Sequence, residues 1–528
     1  MRRTPLAAGA TATALLLTAC SGTAAGGGAS SGHSNTLVIA MTAAQLPGLD
    51  AGTFESEGWE GERFVGLQLY DGLTKMSLNQ DKTGPVIQPD LATSWTSSAD
   101  VKTWTFKLRA GVTFQDGTPW NADAAVFGFD RILNQKAKYF SAENAGLIGF
   151  YTQAIASYKK VDAMTFQITT KMPYALLPQD LPFLVFPSPT AVAKAGNKNF
   201  TKSPVGTGPF KFSKLISGGS VEFVKNDTYW AGAPTLDKVV LRPIPEATAR
   251  VAALRSGEVN WIEFPSPDDA ARLGGEGYTV HTNPYSHIWP WLFDTTKGPL
   301  KDPRVRLALN LAIDRDSMAK RTLSGFGAPA NQYVPQTDVG YETAGNVLTY
   351  DPAKAKSLLA EAGYPAGFSM TMSYPTSGSG NMVPGPMNEA LQSDLAKVGV
   401  KVKLEPVEWS AMIGDWSAGK ISLKADATNI SLGFQPPISW ELYFDSKSIY
   451  NTGHYKNPEF DALWKQAKQE VDDTKRGAII AKINAVLVKD NPWLVVVSDL
   501  NPRATTKNVK GFIQPRSVWV DLTHITVS

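Results

Sequence analysis

The feature that most constrains the fold is the close alternation of strand-like and helix-like segments through the body of this chain. Residues 239–244 and 259–264 have the pattern of strands, and between them residues 246–255 have an alanine-rich helical pattern that ends before Gly257. A strand, a helix and a strand so closely spaced indicate a βαβ unit. The alternation continues towards residue 497, so we expect an α/β fold with mixed or parallel sheets.

Two helix starts are marked by an aspartate followed by proline, Asp302-Pro303 and Asp351-Pro352. The carboxylate caps the first backbone amides, and proline fits the first helical turn because its missing N–H needs no partner there. The predicted strands are 36–41, 106–109, 239–244, 259–264, 368–374, 400–406 and 493–497. The predicted helices are 122–133, 246–255, 304–313, 352–362, 386–398, 458–471 and 475–488.

Length, charge and missing motifs exclude several classes of function. A chain of 528 residues is longer than chains that fold around a single hydrophobic core, so two or more lobes are expected. The chain has 51 Lys and Arg residues and 48 Asp and Glu residues, so its net charge is close to zero. A net charge this small does not indicate a nucleic-acid-binding surface. The sequence lacks GxxxxGK[ST] and HExxH motifs, and its five histidines show no ligand spacing. We therefore expect no catalytic residues, no metal and no cofactor.

The N-terminal segment predicts export and lipid attachment. Arg2 and Arg3 precede a mostly apolar run over residues 5–19, which is too short for a membrane span and reads as a secretory signal. The run ends Leu17-Thr-Ala-Cys20, which resembles a bacterial lipobox, and Cys20 is the sole cysteine. The alternative is an ordinary signal followed by an unrelated cysteine. We expect lipidation at Cys20, a flexible tether over residues 20–35 and anchoring to the extracytoplasmic face of the cell membrane.

Aromatic side chains cluster in two segments, residues 285–293 and residues 434–444. Aromatic rings give large contact area at little entropic cost and suit the walls of a ligand cleft. Core packing is the alternative for each of them.

Several motifs occur in a fixed order along the body of the chain. They are Leu91–Trp95, Trp104–Arg109, Gly111–Phe114, Asp116–Pro119, Asn121–Asp123, Pro204–Phe210, Asn226–Trp230, Ala233–Asp237, Ala253–Glu258, Asp302–Arg306, Ala312–Arg315 and Asp351–Gly363. Together they resemble family 5 extracellular solute-binding proteins, the oligopeptide- and dipeptide-binding class of ABC importers.

The resemblance implies an α/β, two-lobed periplasmic-binding-protein type II (cluster C) fold with an extra inserted subdomain in lobe I. The lobes would be joined by two crossing strands and would close over a ligand. The implied division is a signal peptide at 1–19, a tether at 20–35, lobe I at 36–75, 205–287 and 507–528, an inserted subdomain at 76–204, and lobe II at 288–506.

The implied function is that of a substrate-binding lipoprotein of an ABC importer. It would capture a small solute, with a peptide as the first expectation, and deliver it to separate permease subunits. We expect a monomer that binds no nucleic acid. The alternatives are a binding protein for an oligosaccharide or other non-peptide solute, a secreted lipoprotein hydrolase, and a sensor or adhesion lipoprotein.

The resemblance also nominates ligand-binding residues. Trp289 and Trp291 fall at the first crossover, and Trp440 follows a lobe II loop that matches the family's ligand loop. In peptide-binding members an aspartate of that loop pairs with the ligand's α-ammonium. Gly433 falls where this aspartate would be, and Phe434 follows it in the same loop.

A buried ammonium without a paired carboxylate costs several kcal/mol, on the order of the desolvation penalty of an ion. Either another acid substitutes, with Glu441, Asp445 and Asp426 nearest in sequence, or binding does not depend on a free amine. The second choice predicts that the protein accepts modified peptides or a neutral solute.

Overall fold

The computed structural model describes residues 35–78, 86–342, 347–378, 380–433 and 438–528. In these residues the strands are β1 Thr36–Met41, β2 Thr74–Met76, β3 Ile87–Pro89, β4 Ala92–Ser97, β5 Thr103–Leu108, β6 Ile155–Asp162, β7 Thr165–Thr170, β8 Phe210–Ile216, β9 Ser220–Lys225, β10 Lys238–Pro243, β11 Trp261–Glu263, β12 Thr279–His281, β13 His287–Phe293, β14 Gly327–Pro329, β15 Ser369–Pro375, β16 Lys401–Val407, β17 Ala427–Asn429, β18 Leu432–Gly433, β19 Trp493–Asp499, β20 Arg503–Thr505, β21 Val509–Lys510 and β22 Thr526–Val527.

The α-helices of the same residues are α1 Trp59–Gly61, α2 Leu67–Leu69, α3 Ala122–Leu133, α4 Ala142–Ile148, α5 Leu177–Asp180, α6 Pro189–Ala195, α7 Asn197–Phe200, α8 Ala247–Arg255, α9 Pro267–Glu276, α10 Pro303–Leu311, α11 Arg315–Ser317, α12 Pro352–Glu361, α13 Pro384–Ala396, α14 Trp409–Ser417, α15 Ile438–Phe444, α16 Pro458–Gln469 and α17 Asp473–Asp490. Two π-helical turns cover Glu62–Gly66 and Met318–Thr322. Tighter 3₁₀ turns cover Thr53–Glu57, Gly149–Thr152, Leu181–Phe183, Gly298–Lys301 and Ser422–Lys424.

The first lobe is built on a mixed seven-stranded sheet in the order β12-β20-β11-β1-β10-β9-β8. Strand β1 lies at its centre and runs parallel to both β10 and β11. The predicted βαβ unit is confirmed, since α8 connects β10 to β11. The two strands are separated in the sheet by β1, which the local sequence pattern does not show.

The second lobe is built on a second mixed sheet in the order β14-β19-β13-β17-β15-β16, with β18 paired to β13. Strand β15 runs parallel to β16 and β17, whereas β13 runs antiparallel to β17 and β19. Every residue of β13 is buried, as expected of a central strand covered on both faces.

An inserted subdomain lies between β3 and β8 along the chain. Its antiparallel sheet has the order β4-β5-β7-β6, and helix α3 packs against it. Asn121 caps α3 by accepting hydrogen bonds from the amides of Asp123 and Ala124, at 3.0 and 3.1 Å. One cluster of buried apolar side chains contains residues of this subdomain, such as Phe106, and residues of the second lobe, such as Trp493.

The chain crosses between the two lobes twice. It leaves the first sheet after β12, enters the second at β13, and returns from β19 to β20. The two crossovers run side by side, because the amide of Asn283 donates to the carbonyl of Leu500 over 3.0 Å. The lobes also touch away from the crossovers, where Ser324 Oγ donates to Asp268 Oδ1 over 2.8 Å.

Two predicted elements, β1 and α3, are confirmed to the residue at both ends. The Asp–Pro helix starts are also confirmed, since the side chains of Asp302 and Asp351 accept from the first-turn amides of α10 and α12. In the described part of the chain, no helix combines the length and hydrophobicity that crossing a membrane requires.

Candidate ligand-binding site

A cavity of about 180 Å³ lies between the lobes, where the carboxyl ends of strands from both sheets converge. In α/β folds ligands bind outside the carboxyl ends of the strands. The cavity is lined by residues that directly follow β1, β15 and β16, together with one acid from the first lobe's short helical turns. Its lining is Thr42, Ala43, Ala44, Gln45, Glu57, Ser377, Gly378, Glu408, Trp409 and Ser410.

The first-lobe wall is held in place by a buried carboxylate. Glu60 accepts hydrogen bonds from the amide and hydroxyl of Thr42, at 2.8 and 2.9 Å, and from the amide of Ala43, at 2.9 Å. These three donors fix the backbone that leaves β1. Burial raises the pKa of Glu60, and the nearby carboxylate of Glu263 adds to the rise.

Glu60 belongs to a segment that carries many buried polar side chains. Residues 53–69 form a 3₁₀ turn, two single α turns and a π turn, and π turns are frequent at functional sites. The polar side chains buried in this stretch are Thr53, Glu57, Glu60, Glu62, Arg63 and Gln68. Sequence reasoning missed all of them. The signal it could have used is the density of acidic residues among apolar ones from Phe54 to Leu69.

The second-lobe wall is formed by Trp409, the first residue of α14. Glu408 caps this helix, since its carboxylate accepts from the hydroxyl of Ser410 at 2.5 Å and from the amide of Ala411 at 3.1 Å. The indole packs on Gly378, where an added Cβ would lie 2.4 Å from Trp409 Cδ2. Trp409 is only 7% exposed, and its Nε1 has no hydrogen-bond partner among the described residues.

Beneath the cleft, a chain of buried polar groups follows the two crossovers. Tyr285 donates to Asp499 Oδ2 over 3.2 Å, and Nδ1 of His287 lies 3.4 Å from the same oxygen. On its other side, His287 Nε2 lies 2.5 Å from Ser431 Oγ, which donates to the carbonyl of Gly380 over 2.6 Å. Burial lowers the pKa of His287 and so favours the neutral ring. These contacts tie β13 to the loop that precedes β18.

The three tryptophans predicted to border the cleft are each fully buried in this structure. Trp289 and Trp291 lie in the core of the second lobe, and Trp291 Nε1 donates to Asn388 Oδ1 over 2.7 Å. Trp440 lies in the larger cluster shared with the inserted subdomain. The Nε1 atoms of Trp289 and Trp440 have no hydrogen-bond partner in the described part of the chain.

The predicted ligand loop is described only at its edges. The backbone of Gly433 pairs with that of His287, which brings the loop to the start of β13. Phe434 and Cys20 lie outside the described residues. Whether the five predicted ligand-binding positions contact a solute stays a prediction.

The three acids considered as substitutes for the missing loop aspartate all have other partners. Asp426 accepts from the amide and hydroxyl of Thr371, at 2.7 and 2.9 Å. Glu441 accepts from Lys468 Nζ at 2.7 Å, and Asp445 lies 3.9 Å from the same nitrogen. The carboxylates that do line the cavity between the lobes, Glu57 and Glu408, come from other segments.

A second cavity of about 490 Å³ has no second-lobe residue in its lining. Its buried acids already have partners. Asp71 accepts from Thr207, Tyr229 and Trp230, at 2.8 to 3.0 Å, and Lys75 Nζ lies 3.6 Å from Asp90 Oδ1. This cavity is larger than the one between the lobes, but it does not lie where lobe closure would enclose a solute.

No group of three or more His, Cys, Asp or Glu side chains is placed to hold a metal ion in the described part of the chain. His281 is engaged with Thr505, whose Oγ1 lies 2.9 Å from His281 Nε2, and burial, with the nearby guanidinium of Arg503, lowers its pKa to about 4.

A two-lobed fold with paired crossovers and a cavity at converging strand ends agrees with the comparison with protein families. The model for "Bacterial extracellular solute-binding proteins, family 5 Middle" matches residues 86–451. The chain belongs to family 5 of the bacterial extracellular solute-binding proteins. The type II binding-protein fold expected from the sequence motifs is thereby confirmed.

The similarity of this family 5 protein to its relatives covers most of its length. The heme-binding protein A of Haemophilus influenzae is 30% identical, covering 92% of this chain and 91% of the relative. The dipeptide-binding protein of Escherichia coli is 29% identical, covering 87% and 90%. The solved structure of the periplasmic binding protein DppA from Helicobacter pylori, in complex with the peptide STSA, has a TM-score of 0.80 at 27% identity and covers 93% and 98%.

Proposed function

We propose that this family 5 protein is the substrate-binding lipoprotein of an ABC importer, which captures a peptide between its lobes and delivers it to separate permease subunits. The observation that carries the proposal is the cavity where Thr42, Gly378 and Trp409, from the ends of three strands in two sheets, meet. A solute there would contact both lobes, so its binding would favour the closed form. The peptide-binding relatives support a peptide as the solute.

A non-peptide solute is the second candidate. It is favoured by Gly433 at the position where the family resemblance places an ammonium-binding aspartate, and by the heme-binding relative. Mass spectrometry under native conditions, on protein purified without denaturation, would identify a retained solute. A retained peptide supports the main proposal, and a sugar or another non-peptide solute supports the second.

We further propose that the protein is not a hydrolase, although Ser431, His287 and Asp499 are the residue types of a catalytic triad. Two features oppose catalysis. Nδ1 of His287 lies 3.4 Å from Asp499 Oδ2 and makes no hydrogen bond with any described residue, so the carboxylate does not orient the ring as a general base requires. The hydroxyl of Ser431 donates to the carbonyl of Gly380, so its proton is directed away from the base.

Turnover assays separate these readings. We expect no release of product from p-nitrophenyl esters or from peptides, and no change in this result with Ser431→Ala. Turnover that is abolished by Ser431→Ala would establish a hydrolase.

Lipid anchoring through Cys20, after removal of residues 1–19, is part of the same proposal. One acyl chain holds a protein only marginally at a membrane, so stable retention needs more than one chain on the cysteine. Cys20→Ser should release the protein into the soluble fraction or block its processing. A variant that stays at the membrane and is processed normally would refute the anchor.

We also propose that the predicted lobe boundaries, at residues 36–75, 205–287 and 507–528 for lobe I, 76–204 for the inserted subdomain and 288–506 for lobe II, mark the bodies that move on closure.

A further inference from the structure

We propose that the contact between the inserted subdomain and the second lobe is a proton-dependent latch on lobe closure. Asp180 in its protonated state would favour the closed form, in which this contact is made, and ionised Asp180 would favour the open form. The inference rests on the proposed function, because the latch acts on closure around a solute. It places a control of solute affinity outside the cavity between the lobes.

The latch contact joins two bodies that are far apart in the sequence. Asp180 ends α5 in the inserted subdomain, and α15 and α16 belong to the second lobe. The amide of Ala175 donates to the carbonyl of Lys468, on α16, over 2.7 Å. Apolar side chains of both bodies share one buried cluster around this point. Since the proposed lobe boundaries separate these bodies on opening, the groups in the contact would gain water in the open form.

Carboxylates outnumber cations in the latch contact. Lys468 Nζ lies 2.7 Å from Glu441 Oε1 and 3.9 Å from Asp445 Oδ2. Lys468 is 7% exposed, and Asp180, from the inserted subdomain, is 2% exposed. The charges of Glu441 and Lys468 both act on Asp180. Because Lys468 is already paired with Glu441, it compensates a charge on Asp180 poorly.

Asp180 is therefore the group of this contact that responds to pH. Burial is the main cause that raises its pKa well above the ordinary value; a hydrogen bond from Tyr174 opposes the rise, the carboxylate of Glu441 adds to it, and Lys468 opposes it. Oδ1 of Asp180 has no hydrogen-bond partner among the described residues. A buried carboxyl with so little support for its charge keeps its proton while the contact is made.

Opening of the lobes would reverse this preference. A hydrated aspartate has a pKa of about 4, so the open form holds the proton less tightly than the closed form. Closure is thus favoured in full below about pH 4, and the advantage is lost as the pH rises towards the raised pKa of the closed form. Solute affinity follows closure and would fall by up to about tenfold per pH unit over this range.

The test is calorimetry at pH 5 and pH 7 with a dipeptide that lacks ionisable side chains and is selected in a binding screen. Its own termini, with pKa values of about 3.5 and 8, keep largely the same charge between these two values. Asp180→Asn preserves the shape of the side chain and an acceptor for Tyr174 but cannot ionise. From pH 5 to pH 7, the affinity of the wild type should fall by about tenfold or more relative to that of the variant. At pH 7 the variant should bind more tightly than the wild type.

Two controls isolate Asp180 from other acids. Glu143→Gln, an exposed position on α4 of the same subdomain, should follow the wild type at both pH values. Glu57 lines the cavity, and burial is the main cause that raises its pKa to about 7, so it contributes to the pH dependence of both proteins. The difference between the wild type and Asp180→Asn removes this shared contribution. Titrations in two buffers of different ionisation enthalpy should also show greater proton uptake on binding by the wild type at pH 7.

Equal pH profiles and equal proton uptake for the wild type and Asp180→Asn would overturn the latch. It would also be overturned if the variant changed the pH dependence of the melting temperature but not that of solute affinity, because Asp180 would then stay buried in the open form. Both results leave the proposed capture of peptides intact.

Small-angle X-ray scattering of the solute-free protein tests the latch without any ligand. Between pH 5 and pH 8, the radius of gyration of the wild type should grow more than that of Asp180→Asn. Equal growth would overturn the latch. Failure of every dipeptide to bind would refute the peptide assignment, and the scattering result would still decide for or against the latch.

Discussion

Arg503 Nε donates a hydrogen bond to Glu263 Oε1 over 2.7 Å, and neither side chain is exposed to solvent. The pair joins β20 to β11 at the point where the chain returns to the first lobe. Arg63, from the π turn beneath the cleft, lies 3.5 Å from the other carboxylate oxygen. Burial alone would raise the pKa of Glu263, but the guanidinium groups of Arg503 and Arg63 hold it below its ordinary value.

Loss of this carboxylate should destabilise the protein strongly. Glu263→Gln leaves two buried guanidinium groups without their counter-charge, and breaking a buried ion pair costs roughly 3–5 kcal/mol. The urea midpoint of unfolding, followed by tryptophan fluorescence, should fall clearly. Glu276→Gln, which removes the exposed partner of Arg255, is the control and should leave the midpoint unchanged. Equal midpoints for the two variants would show that the buried network does not stabilise the fold.

Stability should depend on pH through Asp338. Burial, opposed by hydrogen bonds from Ser286 and Thr337, raises the pKa of Asp338 to about 7. Since the ordinary carboxyl pKa is about 4, the folded state holds this proton more tightly than the unfolded state. The protonated Asp338 therefore contributes to the free energy of unfolding in full below about pH 4, and this contribution is lost as the pH rises through about 7. It amounts to on the order of 4 kcal/mol.

Asp338→Asn removes this dependence, because the amide oxygen can still accept from Ser286 and carries no charge. The melting temperature of the variant relative to that of the wild type should be higher at pH 8 than at pH 5. The exposed Asp316→Asn variant should track the wild type at both values. Parallel pH profiles for Asp338→Asn and the wild type would mean that Asp338 is ionised in the folded protein.

Gly378 should be required for the shape of the cleft. It has a φ of +101°, and an added Cβ would lie 2.4 Å from the Trp409 ring. Gly378→Ala should move the indole and weaken solute binding by about tenfold or more, the effect of about 1.4 kcal/mol. Gly363→Ala is the matched control, since Gly363 has a φ of +92° and open space around it. That variant should lose stability through backbone strain but bind normally. Similar binding losses in both variants would assign the effect to strain and not to Trp409.

The role of the three predicted cleft tryptophans in solute binding can be tested with substitutions that do not leave a large cavity in the core. Trp→Ala at a buried site costs about 3–5 kcal/mol of stability and would obscure binding, so phenylalanine is the better replacement. We expect Trp440→Phe, Trp289→Phe and Trp291→Phe to weaken solute binding and to reduce the fluorescence change on binding. Unaltered affinity in all three variants would leave them as core residues of the second lobe.

The fold could be predicted well wherever local chemistry determines an element. The apolar run of β1 and the cap and apolar face of α3 are encoded in adjacent residues, and their bounds were predicted to the residue. The placement of β1 between β10 and β11 could not be predicted in this way, because sheet order depends on contacts between residues about 200 positions apart. The short turns of residues 53–69 also escaped prediction, since single turns show no periodicity.

The candidate site shows the same limit. Trp409 looks like an ordinary helix start, and its role depends on Gly378, which follows a different strand. Glu57, from a 3₁₀ turn of the first lobe, and Glu408, after β16 of the second lobe, line the same cavity although they lie about 350 positions apart in sequence. The described tryptophans of the two aromatic clusters that sequence reasoning selected are buried in this structure, and their contact with a solute stays a prediction.

Hydrogen exchange measured by mass spectrometry, on the protein alone and saturated with a dipeptide that binds in calorimetry, tests the central claim most directly. Capture between the lobes predicts that the amides of residues 42–45 and 409–412 gain protection together, because one solute would close the strand ends of both lobes over itself. Protection confined to one lobe, or centred on the second cavity around Asp71 and Asp90, would contradict capture at this cleft.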